Sequence, residues 1–304
     1  MTDPSTADFR CGFAALVGRP NVGKSTLLNA LIGQKVSIVT PRPQTTRHRI
    51  IGLAQLPNAQ IAFVDTPGLH SQARRALNKA MNRTAAAALE EADLVVLVVE
   101  ALVWNSEDDL VLKRIARSGR PVLVAVNKVD KVKPRERLLP YLAELDARHG
   151  FLALVPVSAL KEKNLDDLRQ GIAAQLPVSA PLFPGLFQGG ELTDRGIPFR
   201  IAEMIREKLT LELNQEVPYG IAVEVERLAE EDGQLNVDAA IWVDREGQKP
   251  IVIGARGERL KRVGTSARLA LNGLLGRRLH LNLWVKVREN WADNARALRE
   301  LGLE

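Results

Sequence analysis

Between Gly18 and Ser25 the chain reads Gly18-Arg19-Pro20-Asn21-Val22-Gly23-Lys24-Ser25, a complete G-x-x-x-x-G-K-[ST] run. It follows an apolar stretch suited to a strand and opens a helical pattern, the context in which such a loop holds phosphate. Glycines let the backbone close around a β-phosphate, and the helix N-terminus that follows offers unpaired N–H groups to negative charge. Lys24 is placed to reach the β- and γ-phosphates, Ser25 to ligate Mg²⁺, and Thr26 continues the first turn.

Three further segments complete a nucleotide site in chain order. Asp65-Thr66-Pro67-Gly68 closes an apolar strand about 40 residues after the loop. Its carboxylate is suited to Mg²⁺ and the Gly68 N–H to the γ-phosphate. Asn127-Lys128-Val129-Asp130 closes another strand. A carboxylate there accepts from guanine N1–H and the 2-amino group, whereas adenine would leave it unpaired. Lys128 can lie along the base plane, and Asn127 can tie its loop to the phosphate loop. Ser158-Ala159-Leu160 can offer a backbone N–H to guanine O6. Thr40-Pro-Arg-Pro-Gln-Thr45-Thr46-Arg47 reads as a switch loop whose hydroxyl ligates Mg²⁺ when a γ-phosphate is present. Thr46 is the expected ligand and Thr45 the alternative. Lys24, Thr46 and Gly68 are therefore the expected catalytic set. Leu69 stands where many GTPases carry a water-orienting Gln, so slow intrinsic hydrolysis is expected. Asn21 either caps its own loop or helps hold K⁺ beside the phosphates, where the ion would add positive charge.

These segments need a scaffold that brings strand ends together. Candidate strands lie at Phe13–Val17, Arg49–Leu53, Gln60–Val64, Asp93–Val99, Val122–Val126 and Leu152–Val157, and helical patterns at Ser25–Leu31, Leu77–Glu91, Glu107–Arg117 and Leu165–Leu176. Strand–helix alternation with near-continuous Val/Ile/Leu runs predicts an α/β domain, a mostly parallel sheet with helices on both faces. Residues 1–176 form this domain in the reading, and the Pro- and Gly-rich segment 177–198 is a linker.

From 199 to 304 the order changes to a smaller α+β domain. A helix near Phe199–Leu213 precedes strands at Ile221–Arg227 and Leu235–Val243, then a helix at Glu258–Leu275 and a strand at Leu281–Val287. Gly254-Ala255-Arg256-Gly257 is a G-x-x-G loop, the element with which KH modules clamp about four nucleotides of single-stranded RNA. Lys249, Arg256, Arg259, Lys261, Arg262 and Arg268 supply cations for phosphate. Trp284 and Trp291 are candidate stacking platforms, but Trp284, at the alternating end of an apolar strand, is expected in the core.

The net charge of +6 is uneven: Lys249 to Glu304 carries 12 Lys/Arg against 5 Asp/Glu. A basic tail on a near-neutral body fits a polyanion partner or a solvated basic surface. The polar start, MTDPSTADFR, predicts no secretory leader. Leu94–Val99 is too short to span a bilayer, which takes about 20 residues. The single cysteine, Cys11, excludes an intrachain disulfide and fits a reducing cytosol.

Taken together, GRPNVGKSTLLNALIGQKVSIVT, PQTTRHRIIG, DTPGLH, NKVD, VSALK, VPYGIAVEVE, KPIVIGARGERLKRVGTSAR and LWVKVRENW resemble the bacterial Era GTPases along nearly the whole chain. The resemblance implies a G domain joined to a type II KH domain, and a GTPase that uses Mg²⁺ with GTP or GDP. It further implies binding to the 3′ end of 16S ribosomal RNA, a part in 30S subunit assembly, and a cytoplasmic monomer with peripheral contact at the inner membrane. The alternative function is a GTPase whose basic C-terminal module binds a protein or the membrane surface. Two departures stand out. Glu100 replaces an Asp found in many relatives, and Ser71-Gln-Ala-Arg74 replaces a Pro-Lys stretch. Neither is expected to touch a phosphate or guanine contact.

Overall fold

The computed structural model describes residues 8–43, 45–68, 75–183, 192–213, 220–231 and 233–303. Leu69, the 71–74 departure and the linker stretch 184–191 lie outside them. The chain divides into two units. One holds Met1–Ser37, Thr46–Ala73 and Met81–Asp194; the other holds Ile38–Thr45, Arg74–Ala80 and Arg195–Glu304.

The first unit is built on six strands: β1 (Arg10–Val17), β2 (Ile50–Leu56), β3 (Ala59–Asp65), β4 (Leu94–Glu100), β5 (Val122–Asn127) and β6 (Ala153–Pro156). They run in the order β2-β3-β1-β4-β5-β6. Only β2 is antiparallel to its neighbour; all other pairs are parallel. Central strands of a sheet covered on both faces can be apolar throughout. Leu94 to Val99 of β4 are all fully buried, as are Leu123 to Val126 of β5 within 1%. Its helices are α1 (Lys24–Ile32), α2 (Ala76–Glu91) from Met81 onward, α3 (Ser106–Ser118), α4 (Leu138–Asp146) and α5 (Leu165–Ala173). The expected α/β sheet is thus present. The sequence reading had not drawn α4, whose start follows two short helical turns and whose burial is confined to Leu145.

The described ends of the Pro/Gly-rich segment are tied by hydrogen bonds. Cys11 N–H donates to Pro177 O, Ser179 N–H to Phe9 O, and Leu53 N–H to Leu192 O. Phe183 N–H donates to Gln60 Oε1 at 3.0 Å. Prolines at 177 and 181 forbid a regular ladder but not single bonds to a sheet edge.

The second unit contains α6 (Ile197–Glu212), β7 (Ile221–Glu231), β8 (Gln234–Val243), α7 (Lys249–Ile253), α8 (Glu258–Leu275), β9 (Leu279–Val287) and α9 (Ala295–Glu300). Its sheet runs β7-β8-β9, with β8 antiparallel to β7 and parallel to β9. Alternate residues Leu235, Val237, Ala239, Ile241 and Val243 face a core completed by Ile201, Ile205, Val263, Ala267 and Leu271. Trp291 is fully buried, with its indole N–H on Gly220 O at 3.1 Å, so it is no stacking platform. Trp284 takes the other parity of β9 from the core residue Val285. It is half-buried with Lys286 Nζ 5.7 Å from its ring centre, rather than part of the core.

This unit also holds Ile38–Thr45 against α6. Val39 N–H donates to Glu207 Oε2, Arg42 Nη2 to Leu213 O, and Arg206 Nη2 to Thr45 O.

Candidate functional site

The phosphate loop leaves β1 at Val17 and re-enters regular structure at Lys24. Gly23 adopts φ 101°, and a Cβ there would stand 2.4 Å from Asn127 Nδ2, so only glycine fits. Lys24 Nζ is buried and donates to Gly18 O and Arg19 O, each at 2.9 Å. The side chain therefore folds back over the loop it belongs to. Burial pushes its pKa down to about 8, opposed by the charge of Asp65. Gly68 sits beside it: a Cβ there would lie 3.6 Å from Lys24 Nζ and 3.3 Å from Pro20 Cγ. Thr66 Oγ1 donates to Leu16 O and fixes the exit from β3.

Next to Lys24 the three oxygen-bearing side chains expected to hold a metal come together. Ser25 Oγ donates to Asp65 Oδ2 at 2.8 Å and shares a bond with Thr46 Oγ1 at 2.7 Å. Ser37 Oγ also donates to Asp65 Oδ2, a partner the sequence reading missed. Among the described residues, Asp65 Oδ1 is buried without a hydrogen-bond partner. Burial raises the Asp65 pKa, against the lowering effect of Lys24 and of the two serine hydroxyls. Two hydroxyls and an unsatisfied carboxylate oxygen form the hard oxygen set that Mg²⁺ takes. Thr45 is turned elsewhere; its hydroxyl meets Thr40 Oγ1 at 2.6 Å and Arg42 O at 2.8 Å.

On the base side, Asn127 joins three segments. Its Nδ2 donates to Val22 O at 2.9 Å, and its Oδ1 accepts from Lys128 N–H and from Ala159 N–H at 3.0 Å. Of the Ser158–Leu160 segment expected to offer a backbone N–H to guanine O6, the Ala159 N–H is held by Asn127 in this structure. Lys128, at φ 64°, donates through Nζ to Asn21 O at 2.7 Å. Ser158 Oγ donates to Asp130 Oδ1 at 2.5 Å, which orients that carboxylate. Val129 N–H donates to Val157 O and locks the two loops. A cleft of about 750 Å³ opens alongside, lined by Thr26, Asn29, Lys35, Ala159 and Asn164. Asn21 is exposed at φ 64°.

In the second unit the G-x-x-G loop joins α7 to α8. Gly254 adopts φ 76°, and a Cβ would meet Arg259 Cβ at 2.7 Å. Ala255 and Arg256 form the exposed tip, with Arg256 at φ 50°. Lys261, Arg262 and Arg268 are exposed on α8, while Lys249 is half-buried. Arg262 pairs with Glu212 at 3.2 Å and Arg259 donates to Ile251 O, so these two are partly spent within the fold. Beside the loop runs a groove of about 380 Å³. Leu260, Leu281 and Leu283 give it apolar walls, and Gly257, Gly264, Thr265, Lys261 and Arg268 line the rest.

Two family models match the chain: a 50S ribosome-binding GTPase over residues 13–128 and a KH domain over residues 216–292. GTPase Era of Marinobacter nauticus is 48% identical over 303 residues, covering 100% of this chain and 98% of the relative. The chain belongs to the GTPase Era family. It is a GTPase, with a P-loop GTPase domain and a C-terminal KH domain. GTPase Era of Xanthomonas axonopodis pv. citri is likewise 48% identical, over 98% of this chain and 99% of its own length. Among solved structures, a variant of Aquifex aeolicus Era bound to GDP·AlF4⁻ superimposes with a TM-score of 0.92 at 40% identity, covering 97% of this chain and 99% of that one. An Era complex with MgGDPNP and nucleotides 1506–1542 of 16S ribosomal RNA matches with the same TM-score, identity and coverage.

For a member of this family, several contacts escaped the sequence reading. Arg19 Nε donates to Asp108 Oδ2 at 3.0 Å, and Asp108 is fully buried. The same carboxylate accepts from Asn105 N–H and caps α3. Asn105-x-x-Asp108 is legible as a capping pair, but nothing in it points to Arg19. Gly264, Thr265, Leu281 and Leu283 were also missed, because a groove between a helix and a strand leaves no local motif. Glu100 corrects an expectation. Its carboxylate accepts from Lys128 Nζ at 2.6 Å, so it does touch a residue of the guanine loop. Among the described residues no helix is long and apolar enough to cross a membrane.

Proposed function

We propose that this chain binds and hydrolyses GTP with Mg²⁺ and binds the 3′ end of 16S ribosomal RNA through its KH domain, acting in 30S subunit assembly. The observation that carries the RNA half is the Gly254–Gly257 loop, with positive φ at Gly254, Arg256 and Gly257, beside an apolar-walled, cation-rimmed groove. Lipid binding needs charge but not that backbone geometry, and unstacked bases need apolar walls. The complex of a relative with 16S nucleotides supports the choice of RNA. In this reading residues 1–176 carry the nucleotide chemistry, 177–198 connect, and 199–304 carry RNA. The protein works as a cytoplasmic monomer. Its basic tail supplies any peripheral contact with the inner membrane, which co-sedimentation with anionic vesicles tests.

In the nucleotide site, the loop from Gly18 to Thr26 wraps the phosphates and the Lys24 ammonium moves from its own carbonyls onto them. Ser25, Thr46 and Asp65 are the residues that would hold Mg²⁺, which supplies charge neutralisation at the β- and γ-oxygens. Thr46 is favoured over Thr45 because its hydroxyl already meets Ser25, whereas Thr45 is bonded within its own loop. Gly68 offers its N–H to the γ-phosphate. Asp130 reads the guanine edge, Asn127 and Lys128 brace the loop, and Ser158 orients Asp130. Asn21 lies at the exposed lip of the loop and is the residue to which a K⁺ requirement would trace. Turnover several-fold faster in K⁺ than in Na⁺ is expected, and equal rates would remove that role.

The RNA assignment is tested with the double substitution Ala255→Asp/Arg256→Asp. Both side chains are exposed, and Asp tolerates the left-handed backbone at 256. Two carboxylates facing phosphate, with one cation lost, should weaken a 3′-terminal 16S oligonucleotide about tenfold or more. GTP affinity should be unchanged. Equal RNA affinity for the variant and the wild type would eliminate the KH assignment.

The depressed Lys24 pKa gives a pH signature. A phosphate beside the ammonium raises that pKa in the complex, so nucleotide binding takes up a proton once the free protein has begun to lose it. Affinity is full below about 8 and falls as pH rises through that value. GDP affinity should drop up to about tenfold per pH unit above the Lys24 pKa. A flat profile between pH 6.5 and 9.5 would contradict the placement of Lys24.

A further inference from the structure

We propose that Glu100 is a positioning residue for base recognition, holding the guanine loop and the phosphate loop to one carboxylate. This rests on the nucleotide-site reading above. The sheet order supplies the reason that this position, and not another, can do so. β4 lies between β1, which feeds the phosphate loop, and β5, which feeds the guanine loop. Glu100 ends β4 in register with Asn127, the last residue of β5. A long acidic side chain at this point has a loop on either hand.

Its Oε2 takes both. Lys128 Nζ approaches at 2.6 Å and Arg19 Nη2 at 3.7 Å. Lys128 Nζ also reaches Asn21 O at 2.7 Å, so the contact closes a ring through the phosphate loop. Arg19 is fixed from its other side by the buried Asp108 at 3.0 Å. The backbone adds to this, since Ala101 N–H donates to Asn127 O at 2.9 Å. Lys128 holds a left-handed φ of 64°, and so does Asn21, so both loops carry non-glycine residues in a sparsely populated region. Such conformations persist where the surroundings fix them, and the Glu100 carboxylate is a fixed point common to both. The neighbouring Asp130 can present two oxygens to guanine only if the turn from Lys128 is held. Loss of Glu100 should therefore be felt most in contacts to the base edge.

The test compares wild type with Glu100→Ala, Glu100→Asp and, as a control, Glu144→Gln, which removes an exposed pair with Arg148. Dissociation of fluorescent GDP and IDP is followed by stopped flow, with steady-state GTP hydrolysis alongside. IDP lacks the 2-amino group, so the GDP-to-IDP ratio reports on Asp130. Glu100→Ala should release GDP about tenfold faster, in line with loss of a charge-assisted hydrogen bond at a part-exposed site. It should also narrow the preference for GDP over IDP and raise KM for GTP far more than it lowers kcat. Glu100→Asp keeps the charge and should stay within about threefold of wild type. Glu144→Gln should match wild type. GDP release at the wild-type rate in Glu100→Ala overturns the proposal, as does an equal loss of GDP and IDP affinity. If Glu100→Ala does not fold, Glu100→Gln decides: a narrowed GDP-to-IDP ratio supports positioning by the carboxylate, and the wild-type ratio overturns it. Failure of the wild type to prefer GDP over IDP would instead overturn the nucleotide-site reading itself.

Discussion

Lys24→Ala is expected to lower GTP turnover at saturating substrate by about 10³-fold, the size of effect seen when a preorganised charge on a developing anion is removed. Among the described residues, Arg19, Lys24 and Lys128 are cations at the phosphate loop, and two of them are already engaged. Arg19 is paired with Asp108 and Glu100, and Lys128 with Glu100. Lys24 alone is bonded only to neutral carbonyls, those of Gly18 and Arg19. It can exchange them for phosphate oxygens without breaking an ion pair. Among the described residues neither neighbouring cation can take its place in the variant without losing a partner, since the Arg19 guanidinium would have to abandon a buried carboxylate and Lys128 its pair with Glu100. Ser25→Ala should act in the same direction, since it removes one hydroxyl from the set that meets Asp65. Single-turnover hydrolysis with excess protein separates this loss from weaker binding. Turnover within tenfold of wild type would show that the phosphate charge is met elsewhere.

The difference between what could be read from the sequence and what could not follows the range of each interaction. The phosphate loop, Asp65 to Gly68 and Asn127 to Asp130 were legible because each motif is contiguous and ends a strand whose apolar run is itself contiguous. Even the role of Asn127 as a tie could be named, since its type at that place has few other uses. What stayed hidden lies across the sheet. The Arg19–Asp108 pair spans 89 positions, and the Glu100–Lys128 contact depends on β4 lying between β1 and β5. A strand order that departs from chain order cannot be seen in a linear pattern, which is why Glu100 was judged remote from the base. Trp291 was misread for a related reason. An aromatic in a charged stretch looks exposed, yet here the chain after β9 turns back and buries it against Gly220. The described part of the Pro/Gly-rich segment shows the converse: nothing in its composition points to the bonds from Ser179 to Phe9 and from Phe183 to Gln60.

Asp130→Asn should reduce GTP affinity by about 10² to 10³-fold and make xanthosine triphosphate the better ligand. The magnitude follows from setting the new amide donor against the 2-amino donor of the base, which costs far more than losing a contact. In wild type the Asp130 carboxylate accepts from Ser158 Oγ through Oδ1, which turns the group toward the base edge. Guanine presents N1–H and a 2-amino group, two donors to two carboxylate oxygens. Asparagine keeps one acceptor and offers an NH₂ where the second acceptor stood, so the 2-amino group meets a donor. Xanthine has an oxygen at that position and restores the pair. The fold should tolerate the change, because the Ser158 hydroxyl can donate to or accept from an amide and Asn127 still ties Val22 and Ala159 together. Competition of GTP and XTP against labelled nucleotide, with variant and wild type side by side, measures the ratio directly. An unchanged preference for GTP would mean that Asp130 does not face the base. A loss of affinity for both nucleotides alike would mean instead that the substitution had collapsed the loop.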